Sequence, residues 1–249
     1  VGGGYYPAEP CRLCNGAGVV EVKTTQKKKK KKKNVMKITI EDLKNTLQTR
    51  TSGVLSHGGH AEPPSGRVCY VCAEELVALT RKLEWTDCVP GRYVLGNICR
   101  NLNDLLVWES DASRTETLLP LLPYLDEDGE ADWLKNFAMR IAREIIPTFL
   151  GPFLLPHEVE EWKNLTSPKQ ALPIIAATLA RFALPRHDYL YAIFFRVKQV
   201  MEDLSQASDT SWTIHGISQM IINLVTWLHN EKVVKEICKI LLDFFAHKI

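Results

Sequence analysis

Residues 168–249, PKQALPIIAATLARFALPRHDYLYAIFFRVKQVMEDLSQASDTSWTIHGISQMIINLVTWLHNEKVVKEICKILLDFFAHKI, read as four amphipathic helices in succession. Ser167 is placed to cap the first, and Pro168 stands in its first turn, where a missing N–H costs nothing. Leu172, Ile175, Leu179 and Phe182 then recur at helical spacing until Pro185. A second stripe carries Leu190, Ile193, Phe194, Val197, Val200, Met201 and Leu204, and the polar residues after it mark a turn. The third runs from about Ser211 with Ile214, Ile217, Ile221, Leu224, Val225 and Leu228, and Asn230 opens a fourth with Val233, Ile237, Ile240, Leu241 and Phe244. No such stripe is stable in water by itself, so the four helices are expected to pack on one another as antiparallel neighbours.

With 249 residues, 45% of them hydrophobic, the chain has enough apolar surface for one large domain or a small and a larger one. The net charge of +2 conceals an asymmetry. Lys27, Lys28, Lys29, Lys30, Lys31, Lys32 and Lys33 hold seven of the 31 basic residues, leaving 24 against 29 acidic ones, or −5, for the remainder. Adjacent ammonium groups repel, so residues 27–34 read as a solvated linker, able to contact phosphates without sequence preference or to act as a nuclear-import signal. An odd number of cysteines, with no secretory leader in view, predicts a reducing compartment, the nucleus or cytosol. The longest apolar stretch, 145–155, is interrupted by Pro147, Gly151 and Pro152 and falls short of the roughly 18 residues of a membrane span, so no membrane is expected.

Residues 1–26 form a Gly- and Cys-rich candidate zinc knuckle around Cys11-Arg12-Leu13-Cys14-Asn15-Gly16-Ala17-Gly18, since two thiolates on one tight turn can share a Zn²⁺. A second pair, Cys69 and Cys72, lies in the loop-rich segment 35–72. One structural Zn²⁺ on Cys11, Cys14, Cys69 and Cys72, with His57 and His60 as alternates, stands beside the plainer reading of unliganded thiols. The first pair resembles a single CxxCxGxG motif of the J-protein cysteine-rich domain, which implies a zinc-binding chaperone or redox-type module as an alternative function; a nucleic-acid-associated factor using the lysine run is another. Between the pairs, Val35 to Ile40 alternates as a short strand, Glu41 to Leu47 reads as a brief helix, and Thr49 to Arg67 as a loop.

A helical body spans residues 73–249. Leu76, Val77, Leu79, Leu83 and Trp85 mark one helix, Pro90-Gly91 breaks it, and Tyr93 to Trp108 makes the next. Val94-Leu95-Gly96-Asn97-Ile98-Cys99 resembles part of the last helix of an armadillo repeat. Leu118 to Leu125, the acidic turn from Asp126 and then Trp133 to Ile145 resemble the second helix, turn and third helix of that unit, and Leu172-Pro173-Ile174-Ile175 echoes its opening. The resemblance implies an all-α, armadillo/HEAT-like right-handed solenoid; an irregular helical bundle would show the same periodicity. It implies a partner face on Asn97, Arg100, Asn101, Arg140, Arg143 and Asn223, and places Ile240 and Phe244 in a terminal capping layer. Pro147 and Pro152 predict a kink or break. No phosphate loop, G-x-S-x-G elbow or H-E-x-x-H pair occurs, so the expected role is that of a non-catalytic scaffold for a protein or peptide partner.

Overall fold

Thr39 and Asp42 start the described fold. The Thr39 side chain accepts from the Asp42 N–H (3.1 Å), and the Asp42 carboxylate accepts from the Thr39 N–H (2.9 Å), a reciprocal cap on helix α1, Ile40–Arg50. The strand expected up to Ile40 is therefore absent from residues 37–40, and the brief helix expected to end at Leu47 runs on to Arg50. The computed structural model describes residues 37–58, 69–83, 93–126, 133–182, 188–206 and 210–246. The chain divides into two units, Val1–Lys37 and Ile38–Ile249, and the described helices and strands belong to the second.

Part of the expected loop is strand. β1, Thr51–Leu55, pairs in parallel with β2, Cys69–Val71, setting Thr51 against Cys69 and Leu55 against Val71. Leu55 and Val71 are fully buried, so the small sheet serves as a wall of the helical core. α2 (Ala73–Thr80) and α3 (Tyr93–Asn103) follow. α3 ends before the predicted Trp108, whose indole N–H turns back to the Leu102 carbonyl (2.9 Å). α4, Asp111–Leu118, is capped by Ser110, which accepts from the Ser113 N–H. The Leu118–Leu125 run continues it as a 3₁₀ segment, Leu119–Asp126, because Pro120 and Pro123 have no N–H to give an α-helix.

α5, Trp133–Arg140, passes without a break into a π-helical segment, Ile141–Leu150. In an α-helix the Pro147 ring would clash with the Arg143 carbonyl, and the wider winding relieves that clash. Gly151–Phe153, containing Pro152, then tightens to 3₁₀. The expected disturbance at the two prolines is thus a change of winding. α6 (Pro156–Lys163), α7 (Pro168–Phe182), α8 (Asp188–Gln206), α9 (Thr210–Leu228) and α10 (Glu231–Ala246) complete the chain.

Among the described residues the fold is mostly helical, with β1 and β2 as its sheet. No helix there is long and apolar enough to cross a membrane. One continuous core runs from Ile38 to Phe245. α7 packs on α8 and α8 on α9, as the stripes require, while α9 also reaches α3. α10 departs from the expected terminal position: it packs chiefly on the 3₁₀ segment, α5 and the π segment. His229 makes this turn possible. Its left-handed backbone (φ 44°) and its N–H bond to the Val225 carbonyl (2.9 Å) end α9 and redirect the chain within two residues. Phe244 and Phe245 then join Tyr124, Trp133 and Phe137 in one aromatic cluster, with Phe245 5.5 Å from Tyr124 and 5.1 Å from Trp133, so they close onto the middle of the chain.

Candidate functional site: a groove beside the π-helical segment

Docking α10 on the π segment leaves a groove of about 370 Å³ between them. Half-buried Phe149 and the buried Ile145 and Ile240 are its apolar lining, and Thr148 and the charged side chains of Glu144, Lys232, Lys235 and Glu236 complete it. The π winding bears on this, because a helix that departs from 3.6 residues per turn presents its side chains at altered angles; such departures recur at functional sites.

Two polar networks frame the groove. Arg140 donates to both oxygens of Glu144 (2.7 and 3.1 Å) and through both terminal nitrogens to Asp243 (3.1 Å each), and its guanidinium lies 5.6 Å from the Phe244 ring centroid. These hydrogen bonds, Glu144's foremost, hold the Arg140 pKa above its ordinary value despite partial burial. In the first turn of α10, buried Glu231 accepts from the Glu109 N–H (2.8 Å), the Ser113 hydroxyl and the Lys235 ammonium (2.8 Å). Burial alone would raise the Glu231 carboxyl, but these donors outweigh it and hold the pKa below the ordinary glutamate value.

The partner-face residues inferred from the resemblance fall into separate places. Asn97, Arg100 and Asn101 share one face of α3, where the Asn97 side-chain oxygen Oδ1 accepts from Arg100 (3.4 Å) and Asn101 (3.3 Å). Asn223 is half-buried on α9. Arg140 ties the π segment to α10, while Arg143, half-buried one turn along, has no hydrogen-bond or ion-pair partner among the described residues. Arg140→Glu would set three carboxylates together and is expected to lower unfolding stability by about 1–2 kcal/mol. Arg143→Glu should stay within about 0.5 kcal/mol of the parent in the same chemical denaturation experiment.

Of the zinc candidates, Cys11, Cys14 and His60 lie outside the described residues, as does the side chain of Cys69; the lysine run Lys27 to Lys33 lies outside them too. His57 is exposed. Cys72 is buried at the start of α2, and its N–H donates to Glu75 (2.8 Å). Burial first, and then the Glu75 carboxylate, push the Cys72 thiol well up. Among the described residues no three His, Cys, Asp or Glu side chains gather as a metal site. Cys99 and Cys238 are buried thiols as well, both pushed up by desolvation first, Cys238 to about 12.

Among the described residues, none of the sequence-derived site residues lines the groove. Pro147 inside a helical run signals an irregular segment, but no periodicity shows which helix lies across it. No protein-family model, no curated protein and no solved structure matches this chain, so the armadillo and J-protein resemblances stand on their sequence echoes alone.

Proposed function

We propose that this chain is a non-catalytic binding protein whose helical body receives a segment of a partner protein in the groove between Ile141–Leu150 and α10. The observation that carries the reading is the groove itself: half-buried Phe149 beside the buried Ile145 and Ile240, within a rim of both charge signs, about 370 Å³ in volume. That mixture suits an amphipathic peptide, whose apolar side chains enter the cleft while its backbone and polar face stay near water. Arg140 ties the two walls together through Glu144 and Asp243, and Glu231 anchors the start of α10 on Glu109 and Ser113, so the groove is largely preformed and little ordering opposes binding. Of the two architectures open to the sequence, the irregular bundle is the better supported, because α3 meets α9 and α10 meets α4 and the 3₁₀ segment. Repeats in an open solenoid touch only their neighbours.

Selection from a displayed library of helical peptides tests the reading. Thr148 is exposed and lines the groove, so Thr148→Trp fills the space without entering the core. Selected peptides should bind this variant at least roughly tenfold more weakly while its melting temperature is unchanged. Equal binding to parent and variant would place the partner surface elsewhere.

A further inference from the structure

We infer that the segment received in this groove carries an acidic side chain beside its apolar anchors, and that Lys232 recognises it; the inference rests on the groove being the partner site. Three of the four charged groups lining it are already engaged within the chain: Glu144 by Arg140 (2.7 Å), Lys235 by Glu231 (2.8 Å) and Glu236 by Lys239 (3.6 Å). Lys232 is exposed and, among the described residues, its ammonium has no partner. Its backbone N–H is held by the Asn230 side chain (2.9 Å), which fixes the base of the residue and leaves the charge free on the rim.

The position of Lys232 gives a second reason. It is the second residue of α10, at the positive end of the helix dipole, where a cation is unfavourable and an acidic residue would suit the helix better. The fold gains nothing from a lysine there. An incoming carboxylate would meet the free ammonium on the rim. Of the apolar lining, Ile145 and Ile240 are buried in the core, and half-buried Phe149 offers the surface that an apolar neighbour on the ligand would cover. A helical peptide with leucines on successive turns and one glutamate on the same face satisfies both demands.

Fluorescence anisotropy with such a labelled peptide, its glutamine counterpart and its lysine counterpart gives the test. The parent protein should bind the glutamate peptide roughly three- to tenfold more tightly than the glutamine one, with the preference reduced by added salt. Lys232→Glu should reverse the order and favour the lysine peptide, an outcome that a loss of folding cannot produce. If glutamate and glutamine peptides bind the parent equally, and both are weakened by Thr148→Trp, the carboxylate assignment is wrong although the groove is the site. If no peptide binds the parent more tightly than a scrambled control, the groove reading fails along with it.

Discussion

Phe245→Ala is expected to destabilise the protein by about 3–5 kcal/mol, the usual cost of deleting a fully buried aromatic ring. Phe245 is completely buried and sits against Tyr124 and Trp133, side chains more than a hundred positions earlier in the chain. Little slack exists to close the cavity, because Trp133 is also held by Phe137 and Phe244 in the same cluster. In a domain of this length the loss corresponds to a fall in melting temperature of roughly 10 °C. Phe244→Ala supplies the internal comparison: its ring is half-buried, so the loss should be clearly smaller. A Phe245→Ala protein melting within a degree or two of the parent would show that α10 is not docked on the middle of the chain, and the groove would lose one wall.

Glu231→Ala should cost about 2–3 kcal/mol through a different mechanism. The substitution removes no large volume but leaves the Glu109 N–H and the Ser113 hydroxyl without their acceptor, and releases Lys235. Its signature is the pH dependence. Because the folded-state pKa of Glu231 lies below its ordinary value of 4.5, the carboxylate's contribution is fully present above that value. It is lost as pH falls from there through the lowered folded pKa. The stability difference between parent and Glu231→Gln should therefore be largest near neutrality and shrink in acid. A difference that stays constant from pH 7 down to about pH 3 would mean that the carboxylate's charge plays no part.

The helices of residues 168–246 are legible because each carries an apolar stripe at one period, broken by turn residues. A stripe says that a face is buried; it does not say against what. The armadillo resemblance, adding order along a stack, puts Ile240 and Phe244 in an end cap, whereas the left-handed His229 swings α10 back to the chain's centre. The Thr39 to Asp42 spacing is a visible cap signal, but the alternation of Lys37 and Thr39 with Met36, Ile38 and Ile40 mimics a strand over the same residues. β1 and β2 are hidden from the sequence for a physical reason: β2 has three residues, β1 contains Gly53 at φ +88°, and parallel pairing depends on a distant partner that no local pattern announces.

Among the candidate site residues, Arg140 is assigned to a partner face by the resemblance, and the structure adds intramolecular bonds that the sequence does not announce. The side chain is spent on Glu144 and Asp243, and that bond pattern needs α10 to be in place before it can be recognised. Lys232 and Glu236 look like an ordinary solvated helix face for the same reason. Charge type is written in the sequence, but whether a charge is already paired depends on packing between elements far apart in the chain.

Hydrogen–deuterium exchange on the complex with a selected peptide locates the partner surface directly. Slowed exchange confined to the amides of residues 144–149 and 232–240, with residues 97–101 and Asn223 unchanged, is the predicted result. Protection at 97–101 and around Asn223, with the π segment and α10 unaffected, would refute the groove as the binding site and return the partner surface to the face that the armadillo resemblance implied.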